Sequence, residues 1–220
     1  MGNIVIGVDS STQSTKAIAW DRQGKALAEG RCDIPLSNPS LEKFEQNVED
    51  WWNAFCVSCK ELSSHVKMSE VDGLAISNQR ETLAKLDENG KAVYPATVWM
   101  DKRAVQEVED LNSIMGEGRI HELTGRPKDP CPCLYRVLWL KNHEREIFNK
   151  VKCFADVQAF LVKRLSGEFN TGWISSDPHG MFDVVNKCWS KEILEQLEID
   201  ESRLPKSFKP GTNLGKVSQK

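Results

Sequence analysis

The stretch from Ile4 to Trp20 limits the fold more than any other part of this sequence. It reads as an apolar strand, Ile4 to Val8, running into a carboxylate, Asp9. A run of hydroxyl and amide residues follows, Ser10 to Thr15, then Lys16 and a second apolar strand, Ala17 to Trp20. Two strands this close form a hairpin, yet the connection lacks the Asn-Gly or Asp-Gly pair that tight hairpins favour. It gathers small donors, one cation and one acid instead. That set suits a phosphate chain carrying Mg²⁺: backbone and hydroxyl donors hold phosphate oxygens, lysine neutralises charge, and the carboxylate reaches the metal, often through water. A polar hairpin tip without a ligand accounts for the same residues equally well.

A turn at Gly24 leads into a third strand, Ala26 to Ile34. Three antiparallel strands in succession make a meander, not a βαβ unit, which argues against a dinucleotide-binding fold. Neither G-x-G-x-x-G nor G-x-x-x-x-G-K-S/T occurs, so two common phosphate loops are excluded.

The remaining classes narrow quickly. With 220 residues the chain can form one large or two small domains with a sizeable core. A net charge of -3 gives no electrostatic footprint for nucleic acid or an anionic membrane as partner. No apolar run approaches a membrane span, and the N-terminus does not read as a signal peptide. The seven cysteines are an odd number and scattered, which suits reduced thiols of a cytoplasmic protein better than a disulfide framework.

Further along, Pro35, Asn38 and Pro39 mark residues 35–46 as a loop. Asn47 with Asp50 resembles an N-terminal capping box. The helix that follows places Val48, Trp51, Trp52, Phe55, Cys56, Cys59, Leu62 and Val66 on one apolar face, so Cys56 and Cys59 read as buried structural thiols. Val71 to Ser77 reads as a short buried strand ending in Asn78-Gln79-Arg80-Glu81, before another strand from Thr82 to Leu86. The end of a buried strand is where α/β folds place ligand contacts. Adjacent Arg80 and Glu81 can donate to and accept from a polyhydroxyl substrate, and a surface ion pair explains them too. Asp101 is placed to cap a helix carrying Ala104, Val105, Val108, Leu111 and Met115, closed by Gly116. Trp99, just before it, fits either the core or the apolar wall of a sugar pocket.

Residues 125–133 form an irregular, proline-broken link, and helix Leu134–His143 and a shorter one near Glu144–Asn149 follow. A strand from Val151 to Ala155, a helix capped by Asp156 and closed by Gly167, a strand from Met181 to Val185 and a helix from Lys191 to Leu197 complete the pattern. The last twenty residues are poorly patterned.

These pieces, in this order, resemble the N-terminal part of the FGGY family of carbohydrate kinases. Gly7-Val-Asp9-Ser-Ser-Thr12-Gln-Ser14-Thr-Lys16 is similar to the family's first phosphate loop. Ile76-Ser-Asn78-Gln-Arg-Glu-Thr82 resembles the substrate motif of its glycerol kinases, and Val98-Trp99-Met-Asp101-Lys-Arg103 their Trp-x-Asp-x-Arg element. Leu134 to Asn142, Leu165 to Phe169 and Met181 to Trp189 also recur in the family at comparable places.

The resemblance implies a ribonuclease-H-like, actin/hexokinase-type α/β fold: a mixed sheet opening with an antiparallel meander, helices on both faces. It implies transfer of the γ-phosphoryl group of ATP, with Mg²⁺, to a terminal hydroxyl of a ketose or polyol. Asp9 would lie near the metal and the transferring group. Thr12, Gln13, Ser14 and Lys16 would lie near phosphate oxygens, and Gln79, Arg80, Glu81, Trp99 and Asp101 near the sugar.

This sequence departs from the family pattern at Ser11, where Gly is usual, at Arg136, where Lys is usual, and at Cys133, where Ser, Thr or Pro is usual. Cys131 stands where glycerol kinases carry a substrate-contacting Tyr, so the acceptor sugar stays open. The family's catalytic base, an Asp in a Gly-Gly-x-Asp-type segment, has no match. On that resemblance residues 1–220 are an N-terminal kinase domain ending before the base, without the C-terminal nucleotide-binding domain, and inactive alone. A non-catalytic sugar-binding or regulatory module on the same fold is the alternative. A ribonuclease-H-like nuclease would need further clustered acids. Homodimers are common in such kinases, which makes a second copy an expected partner.

Overall fold

The computed structural model describes residues 3–218. In chain order it begins with strands β1 (Ile4–Ser10), β2 (Ser14–Asp21), β3 (Ala26–Asp33), β4 (Ser37–Ser40) and β5 (Lys43–Gln46), then helix α1 (Val48–Leu62) and strand β6 (Val71–Asn78). Strands β7 (Leu83–Leu86) and β8 (Ala92–Thr97) precede four helices: α2 (Val105–Met115), α3 (Arg119–Thr124), α4 (Cys133–His143) and α5 (Arg145–Lys150). Strand β9 (Cys153–Ala155), helix α6 (Val157–Ser166), strand β10 (Asn170–Gly172) and helix α7 (Trp173–Ser176) come next. Short strands β11 (Phe182–Asp183) and β12 (Cys188–Trp189), helix α8 (Lys191–Leu197) and strand β13 (Lys206–Phe208) finish it. No helix among the described residues is long and apolar enough to cross a membrane.

The chain divides into two compact units. The first holds the chain up to Leu36 together with Asn47–Gln79, and the second holds Ser37–Gln46 and the chain from Arg80 onward.

The first unit is a four-stranded mixed sheet in the order β3-β2-β1-β6, with α1 packed on β2 and β3. The meander expected from the sequence is present: β1 and β2 pair antiparallel with Asp9 opposite Lys16, and β6 joins β1 in parallel. Alternation along the strands buries Ile4, Ile6, Val8, Thr15, Ala17 and Ala19, which puts Asp9 and Lys16 on the opposite face. Helix α1 starts where Asn47 accepts a hydrogen bond from the Glu49 amide at 3.1 Å; Asp50 adds no side-chain bond back to form a box. It buries Val48, Trp51, Ala54, Phe55, Ser58 and Leu62. Gly30 makes that packing close, because a Cβ there would lie 2.2 Å from the Ser58 carbonyl oxygen.

Two expectations fail in this unit. Cys56 is exposed, one step round from the buried stripe, where Ser58 sits instead and donates to the Thr15 carbonyl at 3.0 Å. β6 is not a buried strand. It lies at the sheet edge, with only Leu74, Ile76, Val71 and Asn78 half-buried, because one flank has no neighbouring strand among the described residues.

The second unit contains a five-stranded antiparallel sheet, β4-β5-β8-β7-β9. Residues 35–46, read as a loop, supply its first two strands. Their signal is hidden because β4 is wholly exposed and contains Pro39, which an edge strand tolerates. Helices α2 and α4 pack on each other, and Leu111, Leu134, Tyr135, Phe148, Phe154 and Trp189 belong to the core beneath. Asp156 caps α6 through the Ala159 amide at 2.9 Å, and Gly167 closes it, as the pattern predicts. The strand expected over Met181–Val185 shrinks to Phe182–Asp183. The last segment gains order by pairing β13 with β10 in parallel, a long-range partner that local pattern cannot reveal.

Lys85 is the outlier of this core. It points inward from β7 at 1% exposure and donates from Nζ to Thr97 Oγ1 at 2.8 Å and to the Pro95 carbonyl at 3.1 Å. Burial, reinforced by Arg103 and Arg136, holds its pKa well below the ordinary lysine value.

Candidate functional site

Each unit carries one candidate site. In the first, β1 and β2 deliver a polar turn. The Ser11 amide donates to the Ser14 carbonyl at 2.9 Å, and the Gln13 carbonyl accepts from the Ile34 amide at 2.8 Å, so the turn is fastened to the end of β3. Below it, buried Ser10 and Thr15 join through their hydroxyls at 3.1 Å. Asp9 is exposed and accepts from the Ser11 hydroxyl at 2.7 Å. Ser11, where the family usually has Gly, thus orients the carboxylate. Lys16 pairs with Glu29 across β3 at 3.2 Å, so a phosphate would draw it from an existing exposed partner. Thr12 and Ser14 are half-buried and Gln13 is exposed at the tip. Among the described residues no three His, Cys, Asp or Glu side chains are grouped to hold a metal. Mg²⁺ fits Asp9 nonetheless, because this ion takes one or two carboxylates and fills its octahedron with phosphate oxygens and water.

The second site is built from separate loops. Arg80 follows β6, ion-pairs with Glu81 at 3.7 Å, and donates to Asp177 Oδ2 at 2.8 Å and to the Ile174 carbonyl at 3.3 Å. Arg126, in the link after α3, donates to Asp177 Oδ1 at 3.2 Å and to Glu81 Oε1 at 3.3 Å, and a second bond reaches Asp177 Oδ2. Asp177 sits on a single 3-10 turn, Asp177–His179, closed by Gly180 at φ +69°, where a Cβ would also strike Leu134 at 2.5 Å.

Glu81 itself has φ +48°, a left-handed conformation that non-glycine residues seldom adopt. Its carbonyl accepts from the guanidinium of Arg136, which is buried on α4 and also reaches the Pro130 carbonyl at 3.4 Å. Arg136 therefore ties the Glu81 turn to the loop before α4. Cys131 in that loop donates to the Trp99 carbonyl at 3.3 Å. Burial, and Glu81 nearby, raise its pKa, so it stays a thiol. Trp99 is 46% exposed, which takes it out of the core.

Two expected substrate residues stand differently. Gln79 is 8% exposed, and its backbone continues the first unit's sheet, donating to the Ser10 carbonyl at 2.9 Å. Asp101 is 1% exposed and does not cap α2, whose N-terminus at Ala104 has no side-chain cap. Its oxygens accept from Arg103 Nε at 2.8 Å, from a terminal Arg103 nitrogen at 2.7 Å and from the Phe44 amide at 2.9 Å. Arg103 pairs in turn with Glu45 on β5 at 2.6 Å. Asp101 is an anchor for the β4–β5 hairpin: a buried carboxylate needs partners, and here the chain supplies all of them. Arg126 and Asp177 are the residues sequence reasoning missed. Their only local mark is a charge beside Gly125-x-Pro127 and before Pro178.

Residues 4–220 match the N-terminal domain of the FGGY family of carbohydrate kinases. The chain belongs to this family. A xylulose kinase from Staphylococcus xylosus is 29% identical over 98% of the chain, which spans 45% of that protein. A glycerol kinase from Thermococcus kodakarensis is 29% identical over 93% of the chain and is spanned to 42%. The crystal structure of a gluconate kinase from Lactobacillus acidophilus superposes with a TM-score of 0.93 at 24% identity, covering 98% of this chain and 44% of that one. The shared architecture is the ribonuclease-H-like, actin/hexokinase type, a mixed α/β fold. This FGGY chain thus spans a little under half the length of the relatives it matches.

Proposed function

We propose that the chain is the acceptor-binding, N-terminal part of an ATP-dependent kinase that phosphorylates a hydroxyl of a ketose or polyol. The observation that carries this reading is the Arg80–Glu81 pair, part-exposed and presented beside Asp177 and Arg126 in a chain of FGGY type. Guanidinium groups donate to sugar oxygens and carboxylates accept from sugar hydroxyls. The exposed face of Trp99 suits the C–H surface of the carbon chain.

Thr12, Gln13, Ser14 and Lys16 are the groups for phosphate oxygens, and Asp9 the carboxylate for a hydrated Mg²⁺. That ion, bound with ATP, supplies charge neutralisation on the transferring phosphoryl group. The protein's share of such catalysis is mainly positioning and electrostatics. The remaining half, present in relatives of greater length, would bring the adenine site, and the reading includes a homodimer.

Calorimetric titration of the chain with glycerol, xylitol and D-xylulose tests the acceptor assignment. Heat of binding for at least one of them, abolished in Arg80→Ala, is the expected result. Binding that is unchanged in Arg80→Ala sinks it.

A further inference from the structure

The four charged side chains of the second site close into a ring of alternating sign. Arg80 meets Asp177 at 2.8 Å, Arg126 meets Asp177 from its Nε at 3.2 Å, Arg126 meets Glu81 at 3.3 Å, and Glu81 meets Arg80 at 3.7 Å. Two guanidinium groups and two carboxylates cancel. Two further charges act on the adjoining Cys131, Arg136 and Asp129, and they are again opposite in sign. The ring is half dry: the side chains of Asp177 and Arg126 are each 22% exposed and that of Glu81 17%.

A ligand meets this ring on those terms. A hydroxyl both donates and accepts, so it can enter any joint between a guanidinium and a carboxylate without altering the charge balance. A ligand carboxylate that pairs with Arg80 or Arg126 competes with Asp177 and Glu81 for the same guanidinium groups. An acid displaced in that competition is left part-buried with its compensation reduced, which is costly. Resting on the acceptor-site reading above, we infer that the ring selects uncharged polyols and ketoses and rejects sugar acids, and that Arg126 and Asp177 set this selectivity. The distinction matters within this family, whose matched structures include a gluconate kinase.

The test compares glycerol, xylitol and D-xylulose with D-gluconate by calorimetry at fixed ionic strength, on the chain and on two variants. The unaltered chain binds its best neutral ligand at least about tenfold more tightly than gluconate, the scale of one charge interaction near a surface. Asp177→Asn leaves the ring with a net positive charge and raises the ratio of gluconate to neutral affinity about tenfold. Arg126→Gln leaves it negative and lowers that ratio. Opposite shifts in two variants that break the same pair cannot come from loosened structure alone. Ratios that move together, or not at all, overturn the inference. So does gluconate binding as tightly as the neutral ligands, with the kinase reading left standing. An unaltered chain that binds none of the four overturns the acceptor-site reading and the inference with it.

Discussion

At the hairpin tip, eight consecutive residues from Asp9 to Lys16 bring every polar group of the site, and the chain's own turn fixes their order. At the charge ring, Arg80 and Asp177 meet although 97 positions separate them in sequence, and Arg126 reaches Glu81 across 45. On the proposed reading the tip would bind phosphate through small donors and one carboxylate carried on the sheet, so its affinity should depend on the sheet beneath. The ring's side chains neutralise one another, so the specificity proposed for it should depend on charge balance.

The harshest way to break this contrast is to disturb the platform of the tip. Gly30→Ala forces α1 away from β3 because its Cβ would lie 2.2 Å from the Ser58 carbonyl oxygen and 2.9 Å from Glu61 Cβ. A loss of about 3 kcal/mol is expected in urea denaturation, in the upper range for overpacking. A variant of unchanged stability would mean that the platform is not rigid.

Removing the acid at the tip comes next. Asp9→Asn should weaken Mg²⁺-dependent binding of inorganic triphosphate about 10- to 100-fold, the usual cost of losing a group that orients a metal through its shell. Polyol binding serves as the internal comparison, and equal loss of both ligands would dissolve the distinction between the sites.

A third measurement sharpens the description of the core behind the ring. Unfolded Lys85 takes up its proton at the ordinary lysine value of 10.5, while the folded residue resists until well below that pH, chiefly because it is buried. The unfolded state therefore binds more protons across that window. Stability should rise as pH approaches 10.5 and fall as pH drops through the window. Denaturation midpoints between neutral pH and pH 10.5 should show this slope, and Lys85→Met should flatten it. The smallest effect is expected at the tip. The exposed Lys16–Glu29 pair should contribute under about 1 kcal/mol, so Lys16→Met should leave the melting temperature almost unmoved while weakening triphosphate binding.

The legibility of the two sites in sequence follows the same divide. The meander, α1, α6, α8 and the tip are local: alternation, a cap and a closing glycine each mark them within a few residues. The antiparallel sheet of the second unit was hidden because β4 is an exposed edge strand and β9 is only three residues long. Asp101 misled because an acid ahead of an apolar helix is the usual sign of a cap, whereas Arg103 two residues on competes for the same oxygens and wins with two charge-assisted bonds. Arg126 and Asp177 could not be read at all from pattern, since nothing in an isolated charge on a loop says which opposite charge the fold will bring to it.

Glu81 carries one last consequence. Its backbone occupies a left-handed conformation held by buried Arg136, and glycine would occupy it with less strain. On the proposed reading, the residue that best suits the backbone at this position differs from the residue that suits recognition. Wherever the relieved strain outweighs the lost pairs with Arg80 and Arg126, a screen for heat tolerance alone would accept Glu81→Gly and discard the carboxylate unnoticed. Any programme that stabilises this protein has to keep that position out of the library, or score binding alongside melting.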